Sequence, residues 1–140
     1  TDGRWDFLPG NGRYIDLDGS TGDAGVMSVA FDLAPGSYLL QFDLAGNHRG
    51  GSDTAIVAVD FGGLWSTQYT LAANAPFQTY EQVIHVSEAV TASLSFAGVG
   101  GDNAGLLLDD VCVSVVPAPG ALLLGSLGCG IVGWLRRRGM

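Results

Sequence analysis

The residues with ligand chemistry fall into three groups along the chain. Asp16 and Asp18 stand near one end of the polar region, and the adjacent pair Asp109-Asp110 stands near the other. On an alternating strand Asp109 shares a face with Leu107, Val111 and Val113, and Asp110 shares the opposite face with Leu108 and Cys112, so one acid is turned toward apolar company. A buried carboxylate needs a compensating partner, and the body offers few cations, so backbone amides or a metal ion must serve. If the two terminal strands are neighbours, Asp16, Asp18, Asp109 and Asp110 make an oxygen cage of the kind calcium takes, with amide capping or solvent exposure as the alternative. The segment Asp16-Leu17-Asp18-Gly19-Ser20-Thr21-Gly22-Asp23 is not an EF-hand loop, because its glycine is misplaced and Met27 stands where the closing glutamate belongs.

The second group is the loop Gly46-Asn47-His48-Arg49-Gly50-Gly51-Ser52-Asp53, which is either a ligand-binding loop or a plain turn. Asn47, His48 and Arg49 bring an amide, an imidazole and a guanidinium, the donors and acceptors that sugar hydroxyls require, while the glycines permit close backbone approach. The third is Trp65 with Tyr69, which lie on one face of a strand. They form either a stacking platform for a pyranose ring or part of the core. For catalysis the inventory is poor: His48 and His85 are the only imidazoles, and no G-x-S-x-G elbow accompanies them. Two cysteines, Cys112 and Cys129, lie in different compartments of the chain and are not expected to pair. Without a Cys-x-x-Cys or Cys/His cluster there is neither a zinc nor a redox motif.

These groups must be positioned by strands. A chain of 140 residues with 22 glycines, 47% hydrophobic and only 14% charged residues is too apolar for disorder and too rich in turn formers for a helical bundle. From Arg13 to Val116, alternating or apolar runs are punctuated by Gly, Asn and Pro about every ten residues, the spacing of a β-sandwich. Strands are expected near 13–18, 26–33, 37–45, 54–61, 64–71, 77–86, 91–97 and 105–116. Eight strands suggest a jelly roll. The clearest alternation sets Tyr38, Leu40, Phe42 and Leu44 toward the core, after a turn at Ala34-Pro35-Gly36-Ser37.

Charge is distributed unevenly. The body up to Val116 holds three arginines and no lysine against all fourteen carboxylates, a net charge of −11, which repels phosphate backbones and excludes nucleic acid as a partner. The other three arginines are Arg136, Arg137 and Arg138, at the far end of a tail built in three parts. Val116-Pro117-Ala118-Pro119-Gly120 comes first, then the uncharged run 121–135, then the basic cluster 136–138. As a helix the uncharged run reaches roughly 22 Å, short of the ~30 Å hydrocarbon layer, so it is marginal as a permanent membrane anchor. Arginines directly after it are retained on the cytoplasmic side, which places the body outside.

This tail resembles the PEP-CTERM class of bacterial sorting signals in its Val-Pro-x-Pro variant, with Val116, Pro117 and Pro119 as the recognition residues and Ala118 where the common form has glutamate. The resemblance implies an exosortase-type membrane transpeptidase as partner, removal of the tail, and delivery to the cell surface or exopolysaccharide matrix. The competing reading is an uncleaved single-span anchor on a structural or adhesive protein. Residues 1–116 are then the sandwich domain and 117–140 the tail, the helix lying transiently or permanently in the inner membrane. Such a tail requires export, so a signal peptide and one or two further strands are expected upstream of Thr1.

The body resembles the galactose-binding-like jelly rolls that precede PEP-CTERM tails, through Tyr14-Ile15-Asp16-Leu17-Asp18-Gly19-Ser20, Phe42-Asp43-Leu44-Ala45-Gly46-Asn47 and Gly101-Asp102-Asn103-Ala104-Gly105 with Leu106-Leu107-Leu108-Asp109-Asp110-Val111. That resemblance implies fold and location, and the wider fold suggests by analogy glycan, including exopolysaccharide, as the ligand class. It also implies a structural calcium near the terminal Asp-Asp.

Overall fold

The computed structural model describes residues 7–19, 23–59 and 63–117. Every regular element among them is a strand: β1 Ile15–Asp16, β2 Val26–Leu33, β3 Gly36–Ala45, β4 Ser52–Val59, β5 Trp65–Ala72, β6 Gln78–Val86, β7 Val90–Val99 and β8 Leu107–Val116. Seven of these match the strands expected from punctuation and alternation to within about two residues at most ends. The exception is β1, expected over six residues and found as a two-residue pairing.

All pairings are antiparallel, and the strands form two four-stranded sheets, ordered β1-β8-β3-β6 and β2-β7-β4-β5. Successive strands repeatedly cross from one sheet to the other, and the first and last strands are neighbours, which is the winding of an eight-stranded jelly roll. The core lies between the sheets. Leu40, Phe42 and Leu44 of β3 meet Ala55, Val57 and Val59 of β4 and Ala92, Leu94 and Phe96 of β7, all buried. Phe42 is the centre of an aromatic cluster, edge-on to Phe96 at 5.4 Å and to Tyr69 at 5.5 Å between centroids. Tyr38, expected in the same inward row, is half-buried and packed against this core, its hydroxyl donating to the carbonyl of Ala34 at 2.7 Å.

The β8 strand departs from ideal alternation. Its register with β3 shifts between Gln41 and Asp43, and Asp110 adopts φ 48°, so a bulge spans Asp110 and Val111. The bulge resets which side chains face the core. Asp109 is half-buried and Asp110 exposed, so the expectation that one of them points into apolar company does not hold. Cys112 sits half-buried on the same strand; its relation to Cys129 lies outside the described residues.

No helix among the described residues is long and apolar enough to cross a membrane. The apolar run 121–135, the arginines Arg136, Arg137 and Arg138, and Pro119 of the sorting motif lie outside the described residues. Val116 closes β8 and Pro117 follows it.

Candidate functional site

One end of the sandwich gathers the segment after β1, the β3–β4 loop and the β7–β8 loop. The β3–β4 loop is held down by backbone bonds to the β5–β6 connection: Gly46 N–H donates to Ala75 O at 2.9 Å, His48 N–H to Ala73 O at 2.8 Å, and Ala73 N–H to Gly51 O at 2.8 Å. A side chain at Gly46 is impossible here, since a Cβ would stand 2.0 Å from the carbonyl oxygen of Ala72. Asn47 is 2% exposed and organises the loop from within. Its Oδ1 accepts from the N–H groups of Arg49 at 2.7 Å and Gly50 at 3.1 Å. Its Nδ2 donates to Gly50 O at 3.0 Å and to the carboxylate of Asp53 at the start of β4.

Arg49 crosses to the neighbouring segment, pairing with Asp16, donating to the carbonyl of Asn103 and lying 4.4 Å over the ring of Phe7. The other oxygen of Asp16 accepts from Asp18 N–H at 3.0 Å and Gly105 N–H at 3.1 Å. Asp16 is therefore a clasp joining the chain after β1 to both loops.

These contacts revise the sequence reading of the loop. Asn47 and Arg49 are spent on partners inside the chain, and the imidazole Nε2 of His48 sits 3.1 Å from the carbonyl oxygen of Ala75, so the three do not converge on an outer ligand. Trp65 and Tyr69 are half-buried and packed against the core, Tyr69 lying 4.7 Å from Tyr80 between centroids. Of the two roles left open for them, core packing is the one found. Burial, followed by the neighbouring Tyr80, raises the Tyr69 hydroxyl above its ordinary pKa.

The four aspartates offered as a metal cage divide. β1 and β8 are neighbours, with Asp16 opposite Leu107, as the cage requires. Asp109 and Asp110, however, lie on the outer face beside Asp43, which is the register partner of Asp109, while Asp16 is taken by Arg49. Asp18 instead meets Asp53 and Asp102, and carboxylate oxygens of the three lie within 4.8 Å of one another.

Asp18 is 2% exposed, and among the described residues neither of its oxygens has a hydrogen-bond partner. Burial is the largest cause of its raised pKa, followed by the charges of Asp53, Asp16 and Asp102, with Arg49 opposing. Gly98, Gly100 and Gly105 wall the carboxylate: a Cβ would come within 1.8 Å of Asp18 Oδ1 at Gly98 and 2.8 Å of Oδ2 at Gly100, and at Gly105 it would meet the Asp18 backbone nitrogen at 2.5 Å. Asp53 and Asp102 were missed in the sequence because three distant segments bring them together. The only local signal was an aspartate just after, or within, a glycine-rich loop, at Gly50-Gly51-Ser52-Asp53 and Gly100-Gly101-Asp102.

A second acidic feature lies on the outer face of the first sheet. Beside it, at the β1 edge, a cleft of about 390 Å³ is lined by Arg13, Tyr14, Asp109 and Asp110 and by Met27 of the second sheet. Asp43 accepts from Thr79 Oγ1 at 2.6 Å, and Asp110 has a raised pKa, chiefly from the charge of Asp109, then from burial and Asp43. On the same sheet Ser37 Oγ and His85 Nδ1 are 2.9 Å apart as cross-strand partners exposed to solvent.

No protein-family model matches the chain, and no curated protein matches it. Among solved structures it is similar to the enzymatically active domain of tailspike protein 4 of bacteriophage CBA120, at 16% identity and TM-score 0.48 over 74% of this chain and 15% of that one. It is also similar to a family 35 carbohydrate binding module from an environmental isolate, at 16% identity and TM-score 0.42 over 76% of this chain and 79% of that one. A family 16 carbohydrate binding module matches at 14% identity and TM-score 0.39, over 67% of this chain and 72% of that one. The chain thus spans under a fifth of the tailspike chain and most of either binding module.

Proposed function

We propose that this chain is an exported, non-catalytic jelly-roll module of the galactose-binding-like kind, placed at the cell surface or in the exopolysaccharide matrix by its carboxyl-terminal tail. The observation that carries the reading is the junction: β8 ends at Val116, the residue that opens Val116-Pro117-Ala118-Pro119, so folded body and sorting motif abut without a linker. An exosortase-type transpeptidase working at the membrane needs its motif presented beside the bilayer, clear of folded structure. Pro117 has no N–H to give to the ladder and ends the strand, so the motif continues where the sheet stops.

Glycan is the ligand class of this reading. Support comes from the cleft beside β1, where Arg13, Asp109 and Asp110 provide charged hydrogen-bonding groups near the ring of Tyr14, the mixture that sugar hydroxyls and C–H faces call for. The acidity of the body directs the choice to neutral rather than polyanionic saccharides.

Fractionation of the native host tests the location. The full-length protein is expected outside the cytoplasm, and a form lacking residues 117–140 should pass into the medium instead of staying with the surface. Mass spectrometry of the mature protein should find the tail gone; Arg138 retained in most molecules would leave the uncleaved anchor. Isothermal titration with neutral matrix polysaccharide tests the ligand. Binding that weakens at least tenfold in Asp109→Asn supports the cleft, and no heat at millimolar saccharide would reduce the module to a structural role.

A further inference from the structure

We infer that Asp18, Asp53 and Asp102 form a binding site for a divalent cation of the calcium class, which ties together three segments at one end of the sandwich. Three carboxylates with oxygens within 4.8 Å of one another concentrate negative charge in a small volume. Aspartates crowd together on many acidic surfaces without a ligand, but Asp18 is not on the surface. It is 2% exposed, and among the described residues neither carboxylate oxygen has a hydrogen-bond partner, whereas buried carboxylates are otherwise paired or capped by amides.

Among the described residues no cation is paired with Asp18: Arg49, whose charge is felt there, is committed to Asp16, to Asn103 and to the face of Phe7. The walls are equally restrictive. Gly98, Gly100 and Gly105 hold backbone against Asp18 where any side chain would collide with it. The fold therefore encloses an acid among glycines and leaves its oxygens directed at two further acids.

The donors identify the cation. All are hard carboxylate oxygens, with neither imidazole nor thiolate among them, which suits calcium and not zinc or copper. Asp53 has one oxygen held by Asn47 Nδ2, and Ala104 N–H donates to Asp102 Oδ1 at 2.9 Å, so each is oriented and keeps coordinating capacity. Three side-chain ligands, with water completing the shell, place the affinity in the weak range of extracellular modules, with Kd on the order of 10⁻⁴ to 10⁻³ M. This site uses neither Asp109 nor Asp110, so it stands or falls apart from the glycan cleft.

The test is calcium titration of the full chain, by isothermal calorimetry and thermal unfolding, against sodium chloride matched for ionic strength. Saturating calcium should raise Tm by about 5 to 10 °C and a chelator should reverse the rise. Magnesium, which demands a tighter octahedral cage, should give less than half the shift. Asp18→Asn should abolish the response. Asp102→Asn, in an exposed loop and so not at risk of misfolding, should lower calcium affinity at least tenfold. Glu88→Gln, in the turn between β6 and β7, should retain the wild-type response. The inference is overturned if the wild-type chain shows no heat with calcium and the same Tm in calcium and chelator, or if Asp102→Asn responds as wild type.

Discussion

Gly98 has no room for a side chain because Asp18 occupies the space where one would go. A methyl group there would lie 1.8 Å from Asp18 Oδ1 and 3.2 Å from the carbonyl oxygen of Leu17. Gly98→Ala should therefore destabilise the protein by about 1 to 3 kcal/mol in urea unfolding, the usual cost of overpacking. Combining it with Asp18→Ala should recover part of the loss, because the colliding oxygen is gone. Strict additivity of the two changes would show that the collision is not the cause. Asp110 has a different constraint. Its φ of 48° suits Asp, Asn or Gly, and a β-branched residue there should cost about 1 to 2 kcal/mol, measurable in Asp110→Val. Its charge is opposed by Asp109, then by burial and Asp43, so its folded pKa lies above the unfolded value. The contribution of such a group is most favourable below the ordinary carboxylate pKa and is lost as pH rises through the raised folded value. Asp110→Asn should accordingly gain stability relative to wild type at pH 7 and lose that advantage at pH 3. An equal difference at both values would remove the repulsion from the account.

At the scale of the element, β3 carries the fold. It is the strand between β8 and β6, and its inward row Leu40, Phe42 and Leu44 is at most 1% exposed. Phe42→Ala should cost about 3 to 5 kcal/mol in denaturant unfolding, since its ring also meets Tyr69, Tyr80 and Phe96 and leaves a cavity bounded by aromatics. Val83→Thr, on the exposed side of β6, should stay within about 0.5 kcal/mol. This strand was legible in the sequence because Leu40, Phe42 and Leu44 alternate with the polar Gln41 and Asp43, a pattern whose physical meaning is a half-buried pleat. Alternation in β8 misled at one point: a bulge at Asp110 inserts a residue, and period-two counting from Leu107 then assigns Asp109 and Asp110 to the wrong surroundings. β1 was over-read because polar residues near Asp16 serve a clasp between loops, not a ladder of strand pairs. The glycan loop failed for a related reason. Residue types alone do not distinguish an Asn and an Arg that face a ligand from ones that satisfy each other's backbone, and here Asn47 is buried under its own loop. Asp53 and Asp102 needed the topology, since 35 and 84 residues separate them from Asp18 and only the winding of the sheets closes that distance.

At the scale of the whole molecule, charge governs behaviour more than any single contact does. Fourteen carboxylates and three arginines in residues 1–116 leave a body whose acids repel one another in the folded state more than in the expanded chain. In two folded clusters neighbouring acids raise a carboxyl pKa: Asp109 is the chief cause at Asp110, and Asp53, Asp16 and Asp102 add to burial at Asp18. Monovalent salt should therefore stabilise the protein. Raising sodium chloride from about 0.01 M to about 0.5 M shortens the screening length from about 30 Å to a few ångströms, so Tm should climb and then level off once that length falls below the spacing of surface acids. Polyanions should find no purchase on the same surface: the full chain should not bind heparin or duplex DNA at about 0.15 M salt in a mobility-shift or titration assay. The two outcomes belong together, because both require that no compensating basic patch exist on the folded body. A Tm that fell with added salt, or retention on heparin, would reveal attractive ion pairs outweighing the repulsion and a surface unlike the one the carboxylates describe.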